Sequence, residues 1–344
     1  MQADTTGDES AAPATPPPLE PLRALTHLTI NAGLLGCEGL HAPATLFAAC
    51  PVLRDLQVQS PQPCTACAFA AALFAAAPPL FALSVLDARF EADDPGSGPA
   101  FGAALAALPG LLHLDCVGAF DKRCRCSARD LLSPLGRSAA LTRLHFQDTD
   151  ASELFAVVPT LPRLRWLSVD ASCASVSAAR VTAALQALPA LTRLAFTDAA
   201  LSGSTMAAVA AAIPATPALY SLEVDIDSLN SKAVVALTAA FPALPHLEKL
   251  ILGSCGLSNK AVAALVRAVS ALVSLGLLDL SYNDFDDDAL LCLSNGLRGC
   301  AALRLLDLSG MPQLSVQSRD ALRAALPGVH VCNWGDDGHG GRPQ

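Results

Sequence analysis

Leu275-Gly-Leu-Leu278-Asp-Leu280-Ser-Tyr-Asn283-Asp-Phe285 places apolar residues at its first, fourth, sixth and eleventh positions and an amide at its ninth. Leu247-Glu-Lys-Leu250-Ile-Leu252-Gly-Ser-Cys255-Gly-Leu257 writes the same spacing 28 residues upstream, with a cysteine at the ninth position. The opening LxxLxL phrase also begins at Leu25, Leu53, Leu80, Leu111, Leu141, Leu164, Leu191, Leu219 and Leu303, eleven copies in all, and the last four steps are each 28 residues. A fixed period of this size predicts a solenoid, in which each repeat buries its apolar face only by stacking on its neighbours.

Side chains alternate faces along a strand, so the fourth and sixth residues of each phrase point inward together. Between phrases, Val262, Leu265, Val266 and Val269 recur at helical spacing, which predicts return helices such as Asn259 to Ser270 and Asp287 to Leu297. Prolines in Leu108-Pro109, Leu161-Pro162, Leu188-Pro189 and Leu244-Pro245 are expected to stop helices before the next strand. The run Asp286-Asp287-Asp288 reads as the capped, acidic start of a helix; as a cation site it lacks the spaced glycine of a calcium loop.

Phased through its asparagine-or-cysteine position, the phrase resembles the leucine-rich repeat superfamily, specifically its long-repeat, ribonuclease-inhibitor-like class. The resemblance implies an α/β fold: a curved right-handed solenoid with a parallel concave sheet of about 11 strands and helices outside. It also implies that Cys255 satisfies backbone groups in its turn, and that protein partners bind the concave sheet and its rims. Cys116 takes a core position, whereas Thr149, Ser172, Ala199 and Asp227 stand where Asn or Cys is expected and imply looser turns.

Half of the 344 residues are apolar, enough for one long core, and the unbroken register favours a single repeat domain over residues 21–332. Residues 1–20 are acidic and proline-rich and read as a disordered leader, and 333–344 as a flexible tail. Residues 66–86 carry no charge, but Pro78 and Pro79 interrupt them and Leu80, Leu83 and Val85 fall in repeat register, against a membrane span. Twenty-two basic against 31 acidic residues give a net charge of −9, which disfavours nucleic acid and anionic membranes as partners. Twelve cysteines without an export signal point to a reduced, cytoplasmic setting, with attachment to a cytoskeletal or ciliary assembly as the alternative.

No GxSxG, GxxxxGK, HExxH or GxGxxG motif occurs, so the sequence suggests neither catalysis nor a cofactor. Cys64 and Cys67 with Cys124 and Cys126 are the one set that could hold zinc; packed or solvent-facing thiols are the favoured reading. Phrase steps of 27, 31, 30 and 23 between Leu53 and Leu164 place extra residues in loops at 91–99 and 121–126.

Function is therefore expected from the outward positions, the third, fifth and seventh of each phrase. The third positions place Trp166 between Arg143 and Arg193, and Trp and Arg dominate interface hot spots. His113 and His145 stand beside them, and Asp170, Glu223, Asp225, Asp279 and Asp307 make the C-terminal half of the face acidic. These ten residues are the expected contacts of a monomeric, noncatalytic scaffold for a protein partner. Two alternatives stand beside it: a GTPase-activating protein of the Ran-regulating type, which needs a residue organising GTP hydrolysis, and a ubiquitin-ligase substrate adaptor, which needs a helical module ahead of the repeats.

Overall fold

A computed structural model describes residues 23–31, 49–59, 80–86, 102–103, 105–108, 110–117, 133–134, 140–147, 151–170, 177–197, 203–226, 229 and 231–332. Its strands are β1 (His27–Asn31), β2 (Asp55–Gln59), β3 (Ala82–Leu86), β4 (His113–Val117), β5 (Arg143–Gln147), β6 (Trp166–Asp170), β7 (Arg193–Thr197), β8 (Ser221–Asp225), β9 (Lys249–Ile251), β10 (Leu277–Asp279), β11 (Leu305–Asp307) and β12 (His330–Cys332). They form one 12-stranded sheet in strict sequence order, every neighbouring pair parallel. The sheet has one strand more than the eleven phrases. β12 is invisible to a leucine count because Gly328, Val331 and Asn333 occupy the leucine positions of its phrase in the sequence.

Among the described residues the return helices are α1 (Ala151–Val157), α2 (Ala178–Gln186), α3 (Gly203–Ala212), α4 (Ser231–Ala240), α5 (Asn259–Val269), α6 (Asp287–Leu297) and α7 (Val316–Ala325). Each packs on the next helix along the chain. Strands repeat every ~4.8 Å, whereas packed helices need about 8–10 Å, so a repeat that pairs one strand with one helix must curve with its helices outside. Right-handed crossovers follow from strand twist.

Inside, the first, fourth and sixth phrase residues make ladders: Leu141, Leu144 and Phe146, then Leu164, Leu167 and Val169, and so on to Leu303, Leu306 and Leu308, all buried. Phe155 and Phe196 fill the space between helix and sheet, their ring centroids 6.4 Å apart. Cys116 is buried among the leucines, and burial holds its thiol protonated.

Two return helices, α1 and α4, end ahead of the prolines expected to stop them, and α3 ends in the same way. α1, α3 and α4 run directly into short 3₁₀ turns, Val158–Thr160, Ile213–Ala215 and Phe241–Ala243, whose prolines are Pro159, Pro214 and Pro242. Proline removes the N–H needed by the α-helix, so those residues stop the helices one turn before Pro162 and Pro245. Asp286 caps α6, accepting from the N–H groups of Asp288 and Ala289, and exchanges two hydrogen bonds with Asn259 of the preceding repeat. Asp287 accepts from the Ser315 N–H of the following one. The acidic run thus stitches three repeats, and these hydrogen bonds hold both carboxyls below their ordinary range.

No helix among the described residues is long and apolar enough to cross a membrane. The leader 1–20, the tail 333–344, the loops 91–99 and 121–126, most of 66–86, and Thr149, Ser172, Ala199 and Asp227 lie outside the described residues.

Candidate functional site: a cation–aromatic ladder

Parallel pairing without slippage puts the third phrase residues side by side across the concave face. His113 faces Arg143, Arg143 faces Trp166, Trp166 faces Arg193, and beyond Ser221 the row continues through Lys249, Leu277 and Leu305. The Arg143 guanidinium carbon stands 3.1 Å from the Trp166 ring centroid, and that of Arg193 5.5 Å from it.

The row does not stop where small Ser221 leaves a gap. Tyr220, one residue earlier, swings its ring into the place: the Arg193 guanidinium lies 5.8 Å from its centroid and the Lys249 ammonium 6.0 Å. Five adjacent strands thus carry cation, aromatic, cation, aromatic, cation. Tyr220 holds a second position, outside the third, fifth and seventh positions expected to face outward; alternation of cations and aromatics over positions two and three together is the signal that marks it.

At the Arg143 end the ladder opens into a depression of about 810 Å³. His113, Arg143, Arg163, Arg165, Trp166 and Arg193 line it, and no carboxylate does. Arg163 and Arg165 are exposed and precede β6. Among the described residues, no carboxylate lies within ion-pair distance of Arg143, Arg163, Arg165, Arg193 or Lys249. Burial, followed by Arg193, depresses the Arg143 pKa, with Asp115 opposing. Burial first and Arg143 second lower that of His113, with Asp55 opposing. Positive charge is therefore concentrated here, opposed by Asp115 and Asp55 at its edge, on a chain whose net charge is −9.

The other expected contacts are distributed differently. His145 Nδ1 lies 2.8 Å from Asp115 Oδ1, which has no other partner among the described residues, so that contact forms when Nδ1 carries a proton. Asp170, Glu223 and Asp225 are half-buried farther along β6 and β8. Asp279 accepts from the N–H and hydroxyl of Ser281, and Asp307 from the N–H of Ser309, so both hold the backbone turn that ends their strands. The seventh phrase positions there, Gly253, Ser281 and Ser309, lie outside the strands, which limits the expectation of three outward residues per strand to the upstream repeats. Even upstream, fifth-position Ser168 and Ala195 are buried.

Among the described residues no group of three or more His, Cys, Asp or Glu side chains could hold a metal ion. Cys64, Cys67, Cys124 and Cys126 lie outside them.

No protein-family model and no curated protein matches the sequence. Solved structures match by shape. A chain in the crystal structure of the yeast Rad7–Elc1 complex is 18% identical, covering 92% of this chain and 77% of that one with a TM-score of 0.56. The internalin inlF of Listeria monocytogenes str. 4b F2365 is 15% identical over 93% of this chain and 89% of that one, with a TM-score of 0.46. Phrase, register and the first of these likenesses define the architecture: the chain has the leucine-rich repeat fold.

Proposed function

We propose that this chain is a noncatalytic, monomeric scaffold of the ribonuclease-inhibitor-like long-repeat class, with residues 21–332 as its repeat unit, binding a protein partner through the concave sheet and adjacent loops. The observation that carries this reading is the cation–aromatic ladder, which leaves cations without ion-pair partners on an acidic protein. A fold requires the inward leucines; nothing in packing requires Arg, Trp, Arg, Tyr and Lys in alternation on the outward face. Arg and Trp are also the side chains that most often dominate interfaces. The Rad7–Elc1 structure, a protein complex, is in keeping with this use of the fold.

Trp166→Ala tests it. Capture of a partner from native extract, then quantified with the purified partner, should weaken by about 1 kcal/mol or more, with the thermal midpoint nearly unchanged. A large stability loss with unaltered binding would assign Trp166 to the scaffold. The triple Arg143, Trp166 and Arg193 alanine variant should lose the partner altogether, and full retention would move the binding surface elsewhere.

A further inference from the structure

We infer that the ladder reads an acidic linear segment of the partner, held as a polyproline-II strand across β5 to β9, with a carboxylate at every third residue. The inference deepens the scaffold reading and rests on it. The cations Arg143, Arg193 and Lys249 are rooted on alternate strands, β5, β7 and β9, so their backbone anchors are two strand spacings apart, about 9.6 Å. A polyproline-II segment advances about 3.1 Å per residue with three residues per turn, which returns a side chain to the same face every ~9.3 Å. Extended β peptide, with same-face side chains about 6.8 Å apart, does not match that interval.

Backbone chemistry selects the same conformation. β5 to β9 are interior strands paired on both sides, so the face they present offers a ligand no backbone donors or acceptors. The bound segment gains no ladder hydrogen bonds here and keeps its own amides satisfied by water, as the fully solvated polyproline II backbone does. Four strand spacings, about 19 Å, accommodate roughly six residues of such a segment.

The aromatic rungs exclude the main competitor. Single-stranded nucleic acid binds basic, aromatic surfaces by stacking bases on open ring faces. Here guanidinium groups from both flanking strands stand over Trp166, and cations from both sides stand over Tyr220. What the rings leave for a ligand is their edges, the positive part of the aromatic quadrupole, which favours carboxylates. Spread over several strands, the charges also suit separate carboxylates better than one compact phosphate.

The test uses fluorescence anisotropy on the full chain with end-blocked, dye-labelled peptides. A (Glu-Pro-Ala)3 peptide carries its carboxylates three residues apart; a control of equal charge carries them two apart. A phosphoserine peptide and a thymidine oligonucleotide are the remaining arms. The third-residue peptide should bind at least about tenfold more tightly than every other arm, with affinity falling as salt rises. Lys249→Glu should weaken it by a similar factor, and exchanging the peptide's corresponding terminal Glu for Lys should restore binding. That rescue also shows that the variant is folded. Equal binding of the two spacings, or tighter binding of the phosphopeptide or oligonucleotide, overturns the inference. So does failure of every peptide, and if partner capture then still depends on Trp166, the scaffold reading survives while the acidic-segment inference does not.

Discussion

Strands β5 to β8 are five residues long, whereas β9 to β12 are three, although all belong to one sheet. Downstream, Asn283 decides the difference. Its side-chain amide donates to the carbonyls of Leu252, Leu280 and Ser281 and accepts from the Leu257 N–H, which ties the chain into a turn immediately after the sixth phrase residue. Cys255 does part of the same work one repeat earlier, its thiol donating to the Val224 carbonyl, with burial pushing its pKa up to about 12. Turning so early requires left-handed backbone at the eighth position, and Ser254, Tyr282 and Gly310 all adopt it. Upstream, Gln147, Asp170, Thr197 and Asp225 remain strand residues and extend the concave face by one outward position. The downstream repeats put polar side chains into backbone turns, while the upstream repeats keep theirs on the strands, and the ladder reaches only the first of the short strands.

Four experiments would break or sharpen this contrast. The core should not share it: Leu167→Ala and Leu278→Ala, one on each side, are each expected to cost about 2–5 kcal/mol in denaturant unfolding, because the leucine ladder is continuous. A loss confined to one variant would show that the two regions unfold separately. Asn283→Ala should cost on the order of 3 kcal/mol, since it strands buried backbone groups, and it should leave peptide binding at the ladder intact. Gly310→Ala is expected to lose about 1–2 kcal/mol, because φ there is +69° and an added Cβ overlaps the Tyr282 ring; an unchanged midpoint would mean that the turn relaxes freely.

The smallest effect is electrostatic and belongs to the upstream region. His113 binds a proton less readily when folded than in the unfolded chain, where its pKa is near 6.5, so its neutral form favours the fold. Stability should therefore decline as pH falls through that value and hold steady above it. His113→Gln should flatten this part of the pH–stability curve, read from chemical denaturation between neutral and mildly acidic pH. An unchanged slope would show that neither burial nor Arg143 shifts the protonation of His113.

The repeat skeleton was legible because it is written in residue types that have few alternatives. Leucine at the first, fourth and sixth positions identifies the buried ladders, and the phase of the phrase brings Arg143, Trp166 and Arg193 into one row. Tyr220 was not legible on that basis, since a second-position side chain joins the row only when small Ser221 leaves room. Arg163 and Arg165 escaped for a related reason: they precede the strand and reach the depression by the course of the chain entering β6. Asp279 and Asp307 looked like surface charge, yet their hydrogen bonds to Ser281 and Ser309 assign them to turns.

By itself the sequence determined the solenoid, its period and its core, because periodic apolar spacing has one economical way to bury itself in a stacked sheet. Only the tertiary structure decided which outward residues act together, where each strand ends, and that one short tract of an acidic chain is strongly positive. Those properties depend on side chains from different repeats meeting across strand spacings of about 4.8 Å, a proximity that a linear order some 28 residues apart does not contain.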